Sequence, residues 1–516
     1  MADAESQDAA AVLNAEDFRH YVEAFNAADQ ELYVQHIPNS AAWGFLRGNI
    51  PLLDCPDRQI EETYYFRWWT FRKHIRETPD GFVLTEFLAP VKHAGIYNTI
   101  SCALGHHIAE GRWLHDRRYL DQYVLFWLRG NAGGPQAHLH KYSSWLAHAL
   151  LGRCMVDGDR AMLVGLLDDM VADYRTWEAE RLGEDGLFWQ YDVRDGMEES
   201  VSGSRTARNA RPTINSYMFA NARALATIAE WADRGDIARE FHAKAARLKK
   251  LVQTHLWDRQ ANFFKARLEG DGLADVREQL GYTPWFVDLP DGGYEEAWRQ
   301  LTDEGGFAAP FGPTTAERRH RGFTIATSGG DDCQWNGPSW PFSTAVTLTA
   351  LANLLNDYSQ DVMTAGDYLR TLKTYAASHR LRRDDGRIVP WIDENLHPFT
   401  GEWLARMRKK AKGAKFCERG KDYNHSTFCD LVITGLMGLR PRLDETIKVN
   451  PLAPGDWDFF CLDDVHYRGR RLAILWDRTG SKYGRGKGLI LLADGRELAR
   501  RETLGRLTAP LPPGSA

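Results

Sequence analysis

The chain holds 516 residues, 43% hydrophobic and 26% charged, with a net charge of −6; this is enough for a large catalytic body plus one accessory domain around a sizeable core. The acidic balance argues against a general nucleic-acid binder, and the lack of any run of about 18 apolar residues argues against a membrane span. Seven scattered cysteines, with no Cys-x-x-Cys pair and no Cys/His zinc spacing, fit reduced structural thiols, so neither a metal nor a cofactor is expected.

The start, Met1-Ala2-Asp3-Ala4-Glu5-Ser6, is acidic and has no apolar signal core, which makes the cytoplasm the expected location. Residues up to about Gln30 read as helical or frayed. Ile60 to Arg72 is a strongly aromatic helix candidate, with Glu61, Tyr65 and Trp68 on one face. That face suits either a substrate wall or a core helix that snorkels its arginines. Gly81 to Phe87 reads as a short strand after the turn Pro79-Asp80-Gly81.

From Gly95 the pattern becomes helix and short loop in alternation. Helices are expected near 95–111, 116–129, 141–155, 159–181, 213–233, 237–256, 293–303, 340–356, 360–379 and 424–438. Met218, Ala222, Leu225 and Ala229 form one apolar stripe at helical spacing. Such a series predicts a mainly α fold, a helical toroid with helices inside and outside and loops forming a pocket at one end. The basic run Arg406 to Lys412 reads as a solvated loop or helix face. After Leu439, short strands near 448–451, 456–460, 471–476 and 488–492 are separated by turn signals at Asp477-Arg478-Thr479-Gly480 and Ala493-Asp494-Gly495. The expected organisation is a catalytic body over 1–439 with an N-terminal extension, and a small β-domain over 440–516 that carries no catalytic residue.

Three stretches carry chemistry. The run Gly329 to Phe342 packs Asp332, Gln334, Trp335, Asn336 and Trp340 around a Gly337-Pro338 break, on a loop leading into a helix. Indole faces stack on the C–H faces of sugar rings, and amides match hydroxyl donors and acceptors. Tyr191 to Arg205 is an acidic loop with Asp195, Glu198 and Glu199; Pro390 to Trp403 is another, with Trp391, Asp393, Glu394 and Glu402. Cleaving a glycosidic bond needs one carboxylic acid to protonate the leaving oxygen and a second carboxylate across the sugar. Two distant acidic loops brought to one face of a helical barrel would supply that pair. The alternative for such acids is a solvated surface or a helix N-terminus. Glu62, Glu86 and His93 are further candidates to line the pocket. His138-Leu139-His140 and His425, at helix starts, would suit a sugar epimerase or isomerase working by proton transfer. A non-catalytic carbohydrate-binding protein on the same barrel is a third reading.

At these residues the chain resembles the inverting (α/α)6-barrel glycosidases of the trehalase and glycoside hydrolase family 63 type, including mannosylglycerate- and glucosylglycerate-hydrolase-like members. Asp195-Gly196-Met197-Glu198-Glu199-Ser200 is similar to that group's Ser-Gly-Met-Asp-Asn-Ser-like loop, which implies that Glu198 is the general acid. Glu stands where the group has Asp, so Glu199 and Asp195 remain alternatives. Glu394-Asn395-Leu396-His397-Pro398-Phe399-Thr400-Gly401-Glu402 is similar to the group's Glu-Asn-Tyr-x-Pro-x-Thr-Gly-Glu-like loop, which implies that Glu394 is the general base. Trp335-Asn336-Gly337-Pro338-Ser339-Trp340-Pro341 resembles a Trp-Arg-Gly-Pro-x-Trp-x segment that lines the sugar pocket, with Asn336 replacing a common Arg. The resemblance covers roughly 140–440. It implies a six-hairpin glycosidase fold and an inverting, exo-acting hydrolase of a small glycoside or oligosaccharide. The sugar-binding candidates are Trp335, Asn336, Trp340, Gln334, Asp332, Trp391, Glu402, Trp68 and Tyr65. The expected partner is a small carbohydrate, with no nucleic acid and no membrane.

Overall fold

The computed structural model describes residues 11–270, 272–325 and 333–513. Its fold is an (α/α)6 toroid with a small C-terminal β-domain. An inner ring closes through direct packing of Leu104–Gly111 on Leu146–Asp157, then Pro212–Trp231, Thr283–Phe286, Pro341–Asp357 and the segment Cys429–Leu436, which returns to Leu104–Gly111. These inner helices are buried nearly all round. In Pro212–Trp231 the stripe Met218, Ala222, Leu225 and Ala229 is buried, and so is most of the opposite face. A helix apolar on every side belongs inside. The outer helix Gly235–His255 instead buries one stripe, Ile237, Phe241, Ala245, Leu248 and Val252, and leaves its charged face to water.

Helix boundaries follow local chemistry more than periodicity. Pro341 and Pro212 sit at helix starts, where the missing N–H costs nothing. Ala365–Ser378 begins five residues later than its apolar pattern because Thr364 and Asp367 form a capping box. The expected helix at 95–111 starts only at Leu104, since Tyr97 and Asn98 take left-handed conformations (φ 58° and 65°). The one expected at 159–181 breaks at Leu166. The last expected helix is a short turn, Cys429–Leu431, running into a π-helical segment, Val432–Leu436. The basic run forms part of a helix, Leu404–Ala411, and two helices precede the aromatic one, at Arg19–Ala28 and Ala42–Asn49.

Those two N-terminal helices explain the fate of Tyr65 and Trp68. Arg58–Lys73, capped by Asp57, packs its inner side on the ring and its outer side against Arg19–Ala28 and Ala42–Asn49. It is therefore buried on every side, and both Tyr65 and Trp68 are inaccessible core residues. The Tyr65 hydroxyl is bonded to the backbone of Leu53. The arginines do not snorkel. Arg67 donates to Tyr375 Oη (3.2 Å) and the Ser426 carbonyl (2.6 Å). Arg72, held by the Ile37 carbonyl at 2.6 Å, is pushed down to about 10 by burial.

The C-terminal region is an antiparallel sheet in the order β1 (Leu52–Asp54), β2 (Phe459–Tyr467), β3 (Arg470–Asp477), β4 (Gly488–Ala493) and β5 (Arg496–Arg501). The turn Asp494-Gly495 has both φ angles positive (51° and 76°), the geometry a two-residue hairpin needs. Alternation sorts the faces. Leu462, Leu472, Ile474, Leu489 and Leu491 join the main core, while Cys461, Ala473, Leu475, Ile490 and Leu492 form a second cluster under Val12, Leu13 and Tyr483. The edge strand β1 comes from the N-terminal region, pairing Leu52 with Asp463 and Asp54 with Cys461. No helix among the described residues is long and apolar enough to cross a membrane.

Candidate active site

The loops that enter the inner helices converge at one end of the ring and enclose a cavity of about 540 Å³. Cys102 precedes Leu104–Gly111, Lys141 and Tyr142 precede Leu146–Asp157, and Arg194 and Glu198 precede Pro212–Trp231. Trp335 and Trp340 precede Pro341–Asp357, and Arg419, Tyr423 and His425 precede Cys429–Leu431. The cavity thus lies at the N-terminal ends of inner helices, where helix dipoles favour negative charge. Every residue lining it precedes Ser426.

The first acidic loop is hung on the helix it precedes. Asp195 is fully buried against Arg211 (Nε to Oδ2, 2.8 Å) and also accepts from the Thr213 hydroxyl. Gly196 is left-handed (φ 69°), and a Cβ there would lie 2.6 Å from the Cys102 sulfur. Glu199 faces outward and pairs with Arg205 at 3.2 Å. Of the four acids in this loop, Asp192, Asp195, Glu198 and Glu199, only Glu198 lines the cavity.

The second acidic loop presents Glu394, which is 1% exposed. Its Oε1 accepts from the Arg419 guanidinium, and its Oε2 lies 3.6 Å from the Cys333 sulfur. The backbone N–H of Glu394 donates to Asp393 Oδ1 at 2.8 Å. Burial and then the Glu394 charge push Asp393 up to about 7. Gly420 is obligatory here, because any Cβ would meet Asp393 Oδ1 at 1.7 Å.

The tryptophan loop ties the two acidic loops together. Trp335 N donates to the Glu198 carbonyl at 3.0 Å, while Ser339 and Leu396 exchange two backbone hydrogen bonds of 3.0 Å. Trp335 and Trp340 stack with centroids 4.5 Å apart and planes 13° apart. Trp340 Nε1 donates to the Gln334 carbonyl at 2.6 Å, whereas Trp335 Nε1 has no partner among the described residues. Both indoles are nearly buried and both line the cavity.

Glu86 and the segment Arg419 to His425 complete the wall. The Tyr423 hydroxyl donates to Glu86 Oε1, and Oε2 has no partner among the described residues. Burial, and then the charges of Glu394 and Glu198, push Glu86 up to about 8, so it is largely a neutral acid at pH 7. His425 sits beside Tyr423 with ring centroids 3.8 Å apart and neither nitrogen bonded among the described residues; burial, with cationic neighbours, drives it well below its ordinary range. His93 stands at the rim. His138 and His140 do not line the cavity, and His140 bonds Asp173 at 2.7 Å.

Several other sequence candidates lie off the cavity. Gln334 points its amide toward Arg408 and Asn336, and Asn336 holds Thr324 through its backbone (2.9 Å). Trp391 is buried under Arg406, and Glu402 is exposed beside Thr400. Glu62 pairs with Arg380. Asp332 falls outside the described residues. Arg419, Tyr423, Cys102 and Tyr142 escape the sequence reading because none stands in a motif, and each becomes local to the site only when the ring closes; Arg194 stands in the first acidic loop but is passed over for its carboxylates.

A larger cleft, about 770 Å³, separates the helical body from the sheet. His115, Asp464 and His466 cluster in it, but the two imidazoles stack with centroids 3.7 Å apart and planes 8° apart. Parallel rings send their lone pairs along parallel planes, so in this geometry they do not converge on one ion.

Comparison with known proteins adds three findings. Residues 96–426 match the family model of the mannosylglycerate hydrolase MGH1-like glycoside hydrolase domain, and residues 439–499 match the C-terminal domain of glycosyl hydrolase family 65. A solved structure described as a sialidase is 48% identical, with a TM-score of 0.92 over 98% of this chain; the chain spans only 45% of that longer protein. The family 63 mannosylglycerate hydrolase of Thermus thermophilus, solved with Tris and D-glycerate, shares the fold at 14% identity (TM-score 0.52, 72% of this chain, 100% of that one). So does the α-L-rhamnosidase of Streptomyces avermitilis solved with L-rhamnose, at 11% identity (TM-score 0.53, 90% of this chain, 41% of that one).

Proposed function

The chain belongs to the MGH1-like glycoside hydrolases, and from that membership we propose that it is an inverting, exo-acting glycosidase of a small glycoside or oligosaccharide. The observation that carries this reading is that Glu198 and Glu394, from separate loops, line one aromatic-walled cavity. Glu198 is the general acid and protonates the departing glycosidic oxygen. Glu394 is the general base and takes a proton from the water that attacks the anomeric carbon from the opposite face. Arg419 fixes the orientation of Glu394 through the hydrogen bond to its Oε1. Inverting enzymes hold such a pair roughly 6.5–9.5 Å apart so that water fits between sugar and base. The Trp335–Trp340 stack offers an apolar wall for the C–H face of a sugar ring, and Glu86, as a neutral acid, offers an O–H to one of its hydroxyls.

The test is a turnover screen against α- and β-linked glycosides, with the anomer of the first product followed by NMR. Release of a sugar with inverted configuration is expected. Glu198→Gln and Glu394→Gln should each lower kcat by about 10²–10⁴-fold per folded molecule, the usual contribution of a positioned acid or base. Retention of configuration would remove the inverting assignment. Interconversion of free sugars without hydrolysis would favour an epimerase instead.

A further inference from the structure

A cationic ridge leaves the mouth of the cavity. Lys141 and Arg194 line the cavity itself, and both are half-buried. Lys141 Nζ donates to the His93 carbonyl; the Arg194 guanidinium makes no ion pair or side-chain hydrogen bond among the described residues. From Arg194 the chain runs back three residues to Tyr191, whose ring packs on Trp189 at 5.2 Å. Two guanidinium groups lie over the Trp189 indole: Arg181 at 4.7 Å and Arg208 at 4.9 Å from its centroid. Arg208 is exposed and forms no ion pair among the described residues, and the nearest carboxylate oxygen to Arg181 is Glu180 Oε2, 4.0 Å away.

The arrangement concentrates positive charge on a molecule that is acidic overall. Lys141, His138 and Arg181 are each held below their ordinary range, first by burial; Arg194 opposes the charge on all three, joined by Lys141 at His138 and by Arg208 at Arg181. Such crowding is unfavourable unless an anion arrives. A guanidinium stacked on an indole keeps its in-plane N–H fork free, and that fork matches a carboxylate or a sulfate in two parallel hydrogen bonds. Two of the described acids nearby are engaged otherwise: Glu199 pairs with Arg205, and Glu269 accepts from the backbone N–H of Arg208 at 2.8 Å.

We propose that the substrate of this cavity is an acidic oligosaccharide, one sugar of which enters between Glu198 and Glu394. Its uronate or sulfate groups follow the ridge from Lys141 and Arg194 to Arg181 and Arg208 on Trp189. The proposal rests on the glycosidase reading of the cavity and adds the charge and length of the substrate. Recognition is by acidic groups at the spacing of sugar units, not by polyanionic charge in general.

The experiment uses the Glu198→Gln chain on an array of matched pairs: uronate oligosaccharides beside their carboxyl-reduced counterparts, and sulfated oligosaccharides beside desulfated ones. At least one acidic member is expected to bind tenfold or more tightly than its neutral partner. That preference should weaken as salt rises from about 50 to about 500 mM. Which kind of pair responds identifies carboxylate or sulfate. Arg208→Glu, an exposed change, and Arg194→Gln should each reduce the acidic preference tenfold with melting temperatures unchanged. No acidic member preferred over its neutral partner overturns the proposal, as does equal retention of inorganic polyphosphate. Hydrolysis by the wild-type chain is scored separately. Acidic preference without hydrolysis would sink the glycosidase reading and leave the ridge standing. Hydrolysis of neutral and acidic partners alike would do the reverse.

Discussion

Glu86 is a buried carboxyl in the cavity wall whose charge state bears on stability. Its folded value of about 8 lies above the ordinary value of about 4.3 for a free Glu. The unfolded chain therefore gives up this proton at lower pH than the folded one. The neutral carboxyl costs nothing below about pH 4, and its contribution turns unfavourable as pH rises toward 8. Glu86→Gln should remove that loss, so the melting temperature of the variant should gain on the wild type steadily between about pH 5 and about pH 8.5. Parallel curves for the two proteins would mean that Glu86 titrates normally. The stacked indoles are both wall and core. Trp335→Ala and Trp340→Ala should each cost about 3–5 kcal/mol of stability through the cavity left behind. They should also lower affinity by roughly tenfold or more if a sugar stacks there; an unchanged kcat/KM per folded molecule would leave them as core only. At this scale the sequence reveals residues that sit in short patterned loops, such as Glu198, Glu394, Trp335 and Trp340. It misplaces Tyr65 and Trp68, since helical spacing puts them on one face without saying that a second layer of helices covers it.

The loops act as one unit because they are joined by backbone hydrogen bonds and by a buried charge network. Lys73 donates to Asp29 (2.8 Å) and to Asp422 (2.6 Å), and Lys421 also donates to Asp29. The Asp422 carbonyl faces His74 Nε2 at 2.6 Å. This network anchors the segment that carries Arg419, Tyr423 and His425 to the Arg58–Lys73 helix. Lys73→Met leaves one buried carboxylate without a cation and another with only Lys421. It is expected to cost about 3–5 kcal/mol, the range for breaking a buried ion pair. Activity should fall in the molecules that remain folded, because Arg419 loses its footing. Lost stability with full activity would show that the segment holds its shape alone. The longer helices of the ring, Leu146–Asp157, Pro212–Trp231 and Pro341–Asp357, are readable from periodicity, whereas the four-residue Thr283–Phe286 is too short to show one. The first turns of helices are not readable, because capping at Thr364 and left-handed residues at Tyr97 and Asn98 depend on single side chains and backbone choices. The convergence of the loops at one end follows from the toroid; the backbone bonds that zip Glu198 to Trp335 and Ser339 to Leu396 carry no sequence signal, since any residue can make them.

At the scale of the whole molecule, the helical body and the sheet share one main core. Asp463 accepts from the N–H groups of Val12 (2.6 Å) and Leu13 (2.8 Å), and Arg468 N donates to the Val156 carbonyl at 2.7 Å. A chain cut after Leu439 would expose the apolar inner face of the body, so it should aggregate or lose its cooperative thermal transition; a soluble, monomeric, active fragment would contradict this. The change of composition after Leu439 announces the strands, but a three-residue partner as short as Leu52–Asp54 carries too little pattern to be recognised as their edge. That pairing has a temporal consequence. Leu53 leaves the ribosome about 400 residues ahead of its partner Leu462. At roughly 5–20 residues per second, β1 waits on the order of 20–80 s with its hydrogen-bonding edge unmatched. The nascent chain is thus exposed to misassociation for that whole interval. A circular permutant that opens the chain downstream of β1, and so emits β1 just after the rest of the sheet, should yield more soluble protein during synthesis at equal final stability.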